Sequence, residues 1–253
     1  MGLKNQCVLI TGGSSGIGLE LSRQLIARKN KVLICGRSMK KLQEVKAELP
    51  EIHIFQCDLS VPTQCDKLIA WITDKHQDLN MLINNAAIVH KESFMESTDS
   101  CQKAELELQV NFLAPMRLIK GLLPTLQSNQ DPAIVNVTTG LIYAPRADYP
   151  FYNSTKAALH SFTQVLRRQA NGSGLRIIEI MFPAVKTPWH KGVPPKIAIT
   201  AEQAVREMLS GLKKKQLEVR IGGVKLLYWL SRIAPRFTIN RVNSLQNDKH
   251  KTY

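Results

Sequence analysis

No apolar run in this 253-residue chain reaches the roughly 18–20 residues that cross a bilayer. A secretory leader is not evident either. Only Gly2 to Asn5 precede a strand-like run, with no separate apolar region and no cleavage site, and a soluble, cytoplasmic protein is expected. The five cysteines are an odd number and include no C-x-x-C pair, which argues against a disulfide framework or a dithiol centre. The six histidines are scattered without zinc-ligand spacing, so no metal is expected. No linker, low-complexity tract or short repeat divides the chain. A single domain over 1–253 is expected, with 44% hydrophobic residues available for its core.

Negative charge is scarce in one region. Residues 186–253 carry 14 Lys+Arg against 4 Asp+Glu, whereas residues 1–185 carry 20 against 16, for a net charge of +14. No nucleic-acid recognition motif accompanies this excess, so no nucleic-acid partner is expected. The basic quarter reads as a solvated face that also attracts an anionic cofactor.

Short apolar runs at Cys7–Ile10, Lys31–Cys35, Ile52–Gln56, Met81–Ile83, Ala133–Val137, Arg176–Met181 and Leu217–Ile221 predict strands. They are nearly continuous rather than alternating, as in a parallel sheet covered on both faces. Helical patterns at about 17–29, 39–49, 61–76, 100–126, 152–170 and 201–214 fill the gaps. The alternation predicts an α/β fold, a Rossmann-type doubly wound parallel sheet of about seven strands. Pro183, Pro188, Pro194 and Pro195 mark a loop after the sixth strand, where such folds bind ligands.

The first strand runs into Thr11-Gly12-Gly13-Ser14-Ser15-Gly16-Ile17-Gly18. Glycines at 12, 16 and 18 suit a tight turn, a close approach of backbone to a pyrophosphate, and close helix packing. The second strand ends Cys35-Gly36-Arg37-Ser38 and lacks the acid that would bind the ribose hydroxyls of NAD. Arg37 can pair with a 2′-phosphate, which favours NADP(H) over NAD(H); the other reading has Arg37 only stacking on adenine. Asp58, followed by Leu59, is placed either to meet the adenine amino group or to serve as a helix N-terminal acid.

Tyr152 and Lys156 stand one helical turn apart. A phenol titrates near about 10, and an ammonium beside it favours the phenolate and lowers that value. Asn111 precedes Pro115 by four residues, so its carbonyl loses its helical partner and a kink is expected there. The freed carbonyl either finds another donor, such as water, or marks a kink with no role.

Together these motifs resemble the short-chain dehydrogenase/reductase family over the whole chain. The matching pieces are TGGSSGIG at 11–18, Asn84-Asn85-Ala86-Ala87, Asn111, the strand ending in Thr138-Thr139, Tyr152-x-x-x-Lys156, and Pro183-Ala184-Val185-Lys186-Thr187. Wording such as CGRS and TKAALHSF resembles the DltE-like branch of bacterial oxidoreductases. The resemblance implies that Tyr152 is the general acid/base, that Lys156 holds the nicotinamide ribose, and that Asn111 anchors a relay water. It places Thr139 where the family has serine. It implies cofactor contacts from Gly12, Ser14, Ser15, Gly16, Ile17, Gly18, Asn85, Ala86, Ala87, Pro183, Val185 and Thr187. Ala87 and Ala184 replace family glycines and add a Cβ beside the cofactor.

The expected activity is reversible hydride transfer between NADP(H) and a small-molecule carbonyl or alcohol. The alternative is an NADP-binding regulator or scaffold with little turnover. Loops at 88–98, 140–151 and 184–200, with Phe94, Leu141, Tyr143, Phe151 and Trp189 beside Lys91, Arg146 and Lys186, suggest a largely apolar carbonyl compound, with or without an anionic group. A homodimer or homotetramer is expected, with Leu118, Leu122, Phe162 and Leu166 on its face or in the core. Within the basic segment 222–253, residues 222–240 read as an amphipathic helix. Packing on the protein is favoured there over an anionic membrane surface.

Overall fold

The computed structural model describes residues 3–188 and 194–244; Trp189 and the 245–253 end of the basic segment lie outside the described residues. The chain alternates β1 (Cys7–Thr11), α1 (Gly16–Ile26), β2 (Lys31–Gly36), α2 (Met39–Glu48), β3 (His53–Gln56), α3 (Pro62–Lys75) and β4 (Met81–Asn84). Then follow α4 (Ser100–Leu108), α5 (Ala114–Gln127), β5 (Ala133–Thr139), α6 (Pro150–Gln169) and β6 (Arg176–Phe182). A small pair, β7 (Val185–Lys186) and β8 (Ile199–Thr200), leads to α7 (Ala201–Lys213), β9 (Glu218–Arg220), α8 (Val224–Ile233) and α9 (Pro235–Ser244).

Seven strands form one parallel sheet in the order β3-β2-β1-β4-β5-β6-β9. Both faces are buried, which explains the continuous apolar runs. In β1, Val8 and Ile10 point to one layer with Leu21, Leu25, Leu42 and Met208, while Cys7 and Leu9 point to the other with Leu68, Ile72, Leu118 and Leu122. Each such side chain contributes about 1.5–3 kcal/mol on full burial. Strand order reverses between β1 and β4, and the crevice above their carboxyl ends is where this topology binds ligands.

Three expectations need correction, and one open alternative is decided in part. The helix expected over 100–126 is interrupted by a wide π turn at Gln109–Leu113, in which the Ala114 N–H reaches back five residues to the Gln109 carbonyl. Pro115 removes a donor at this place, so the strain appears as a widened turn around Asn111. The segment after β6 is not all loop, because Val185–Lys186 pairs in parallel with Ile199–Thr200. Of the four positions read as either subunit face or core, Leu118 and Leu122 are fully buried and belong to the core, while Phe162 and Leu166 are half-buried against the same cluster. The helix expected over 222–240 is two helices divided at Ala234–Pro235, and of its apolar positions Leu226 and Ile233 face solvent while Leu227 and Leu230 are half-buried.

Candidate active site

The turn after β1 is shaped by backbone that side chains resist. Gly12 (φ +67°) and Gly16 (φ +54°) both occupy the left-handed region, where a Cβ is strained. Gly18 has a different constraint, since a Cβ there would lie 2.3 Å from the Gly12 carbonyl oxygen. Gly13 has no positive φ, and its role is visible only in three dimensions: a Cβ would strike the Ile34 side chain at 2.2 Å. Helix α1 then opens at Gly16. Its N-cap Ser15 makes no side-chain capping bond and its first turn holds no acidic residue, so its N–H groups and positive dipole end remain available to an anion.

Neighbouring segments close on this turn. Thr11 is the hub: its hydroxyl accepts from the Asn85 and Ala86 N–H groups, each at 3.0 Å, while Asn85 Nδ2 donates to the Thr11 carbonyl at 2.9 Å. Thr187 lies against Gly16, where an added Cβ would come within 3.3 Å of its side chain. Val185 is buried in the core, and Pro183 approaches Gly222. Ser14 sits beside Gly36, and Ile17 anchors the helix on the core. Arg37 follows Gly36 and is exposed; its carbonyl accepts from Gln56 Nε2, and its guanidinium forms no ion pair with any described residue. Asp58 is partly committed. Its Oδ1 accepts from the Ser60 N–H (2.9 Å) and hydroxyl (2.7 Å), an Asx turn ahead of α3, with Leu59 packed on the core beside it. A glycine cradle, a free helix N-terminus and an unpaired guanidinium fit a dinucleotide with an extra phosphate.

The second cluster lies at the carboxyl ends of β4 and β5 and on α6. Tyr152, Lys156, Asn111 and Thr139 are all buried. Lys156 Nζ donates to the Val137 carbonyl at 2.8 Å and lies 5.9 Å from the Tyr152 ring centroid. Asn111 is clamped by its side chain: Oδ1 accepts from the Ile88 N–H (2.9 Å), and Nδ2 donates to the Ile88 carbonyl (3.0 Å) and to the Thr155 hydroxyl (3.1 Å). Thr139 Oγ1 accepts from the Leu141 N–H at 3.3 Å. Ala87, half-buried, continues from Ala86 toward this cluster.

The electrostatics depart from the expectation that the lysine lowers the phenol. Burial pushes Tyr152 well above its ordinary value and the Glu107 charge adds to this, while a hydrogen bond from Thr139 pulls the other way. Burial also brings Lys156 down to about 8, against the opposing charges of Glu107 and Glu179. The desolvation of both groups outweighs the pairing that their spacing suggested.

Two buried carboxylates belong to this neighbourhood and were not anticipated. Glu107, fully buried on α4, accepts from the His90 N–H at 2.6 Å and lies 3.0 Å from His90 Nδ1. Burial raises its carboxyl above the ordinary range. Glu179, fully buried on β6, accepts from the Thr138 hydroxyl at 2.6 Å and lies 2.8 Å from His160 Nδ1. A signal existed in the spacing. Glu107 precedes Asn111 by four residues, and His160 follows Lys156 by four, so each shares a helical face with a residue already singled out.

Around the mouth, Phe94 is exposed and meets Phe151 edge-on at 6.3 Å. Tyr143 packs against Tyr228 at 5.2 Å and accepts from Arg220 Nε at 3.1 Å. Two of the three cations expected to greet an anionic substrate are engaged, since Asp148 pairs with Arg146 at 3.0 Å and with Lys91 at 3.5 Å, whereas Lys186 is exposed and forms no ion pair with a described residue.

Known proteins give this geometry a context. A family model described as short chain dehydrogenase matches residues 6–198. The chain is 40% identical over 233 residues to the uncharacterized oxidoreductase DltE of Bacillus subtilis (strain 168), covering 89% of this chain and 92% of that protein. It is 32% identical over 190 residues to a fatty acyl-CoA reductase of Acinetobacter baylyi, covering 74% of this chain and 64% of that one. In fold it is similar to a short chain dehydrogenase from Burkholderia cenocepacia J2315 solved in complex with NADP, with a TM-score of 0.85 and 23% identity over 96% of this chain and 99% of that one. The chain therefore belongs to the short-chain dehydrogenase/reductase family and is an oxidoreductase.

Proposed function

We propose that the protein binds NADP(H) and interconverts a carbonyl compound and its alcohol, with Tyr152 as general acid/base. The observation that carries this reading is the convergence of Tyr152, Thr139, Lys156 and Asn111 beside the anion-receptive turn at 12–18. When bound, NADPH supplies the hydride, and NADP takes it back in the reverse direction. Tyr152 gives its phenolic proton to the substrate oxygen as negative charge develops there, and the Thr139 hydroxyl donates to the same oxygen. Lys156 holds the nicotinamide ribose, while the Asn111 carbonyl in the π turn accepts a relay water. The residues at 183–187, seated on Gly16 through Thr187, hold the nicotinamide end.

The substrate reading is a largely apolar carbonyl compound. Phe94 and Phe151 support it, as does the name of the Acinetobacter relative, and the pairing of Lys91 and Arg146 with Asp148 argues against an anionic group as the main handle. The experiment is a panel of aldehydes and ketones of increasing chain length, followed by loss of NADPH absorbance, with cofactor binding measured in parallel. Turnover rising with chain length is expected. Tight NADPH binding with no turnover across the panel would contradict the reading and favour a regulator or scaffold.

A further inference from the structure

Helices α8 and α9 have two unlike sides. One side is seated on the segment that joins Thr139 to Tyr152. A Cβ on Gly140 would come within 3.0 Å of Val224 and 3.2 Å of Leu227. The Arg220 guanidinium lies 4.1 Å over the Tyr228 ring, and Asn243 accepts from the Ala147 N–H at 2.8 Å. The other side carries Leu226, Trp229, Ile233 and Phe237, with relative exposures of 64%, 62%, 79% and 61%. Leu226, Trp229 and Ile233 follow one another at helical spacing on α8, and Phe237 is exposed on α9 just beyond the break at Ala234–Pro235. Four large apolar side chains, one a tryptophan, stand in water next to one another along the chain, and such a stripe marks an interaction surface.

Charge identifies the occupant. Residues 222–244 contain Lys225, Arg232, Arg236 and Arg241 and no acidic residue, and all four cations are exposed. None forms an ion pair with a described residue; Arg232 only lies over the Tyr228 ring, at 5.2 Å. A second copy docking by the same face would set four cations against four, because a two-fold contact brings like patches together. An anionic lipid surface satisfies both features at once: the interfacial layer accepts tryptophan and aliphatic side chains, and the headgroups neutralise the cations.

We propose that α8 and α9 form a platform that seats the protein on an anionic lipid surface, with Leu226, Trp229, Ile233 and Phe237 in the interfacial layer and the four cations against the headgroups. The proposal is independent of the hydride-transfer reading, because binding alone tests it.

The test is co-sedimentation of the full chain with phosphatidylcholine vesicles, with and without phosphatidylglycerol, alongside tryptophan emission and light scattering without lipid. Salt-sensitive binding to the anionic vesicles and a blue-shifted emission lost in Trp229→Phe are expected. Each cation near such a surface is worth about fivefold in partitioning, so Arg236→Glu/Arg241→Glu should weaken binding by at least about tenfold. Leu226→Ser/Trp229→Ser should weaken it comparably, and both variants should keep the parent's melting temperature and mass. No binding to anionic vesicles overturns the proposal. So does binding that survives both double variants, which would place the contact elsewhere. A fall in mass in Leu226→Ser/Trp229→Ser would show that a second copy covers the face and overturn it too.

Discussion

Cofactor choice turns on the end of β2, where Gly36 stands in the position of an acid and Arg37 follows. The perturbation is Arg37→Ala. A charge-assisted hydrogen bond contributes about 1.5–3 kcal/mol. The Arg37 side chain is exposed, so solvent and salt pull the figure to the lower end, about 1.5 kcal/mol, or roughly tenfold in affinity. No described carboxylate competes for the guanidinium, so this strength is available to a 2′-phosphate. The parent should therefore bind NADPH at least about tenfold more tightly than NADH, and Arg37→Ala should remove most of the gap by weakening NADPH alone. Gly36→Asp tests the same site in the other direction. Its Cβ would stand 3.2 Å from the Ser14 hydroxyl, a contact that a small shift of Ser14 relieves. Its carboxylate would repel the phosphate and accept the ribose hydroxyls, so preference should swing to NADH. The assay is the dissociation constant of each cofactor for parent and variants at one fixed ionic strength. Equal or tighter NADH binding by the parent refutes the reasoning.

Three further outcomes follow from the site and the surface. Burial holds the Tyr152 phenol protonated through the neutral range, so carbonyl reduction should be flat with pH there. Alcohol oxidation, which needs the phenolate, should rise by about tenfold per pH unit at saturating cofactor; an oxidation optimum near neutrality contradicts this. Glu107→Gln keeps an acceptor for the His90 N–H but removes the charge that raises Tyr152, so the oxidation profile should move to lower pH, and an unmoved profile would remove Glu107 from the electrostatics of the site. A homodimer or homotetramer is expected by light scattering, and with Leu118 and Leu122 in the core its face passes to exposed Leu106, Leu108 and Val165; Val165→Arg should lower the mass, and a monomeric parent would contradict the expectation.

The sheet was legible because both of its faces are covered. Continuous apolar runs such as Val8-Leu9-Ile10 have no other ready explanation, and all seven runs became strands within a residue or two. The placement of Tyr152 and Lys156 on one helix was legible for a similar reason, since residues four apart share a helical face. Burial was not. Tyr152 and Lys156 look like a phenol and an ammonium tuning one another, but desolvation acts on both and depends on the surrounding elements. Isolated acids such as Glu107 and Glu179 read as surface charge in a sequence; only the fold shows them closed in against His90 and His160. Likewise packing on the protein is the favoured reading of 222–240 in the sequence, and only the fold shows Leu226, Trp229, Ile233 and Phe237 exposed.

The central claim is that Tyr152 moves the proton while the rest of the site holds the cofactor, and Tyr152→Phe separates the two. The substitution keeps the buried ring and removes only the exchangeable proton and the hydroxyl that meets Thr139. With a substrate identified from the carbonyl panel, kcat should fall by at least about two orders of magnitude, within the usual range for general acid–base catalysis. The dissociation constant for NADPH, measured on the same preparation, should stay within a few-fold of the parent. Turnover within a few-fold of the parent, with NADPH still bound, would contradict the account.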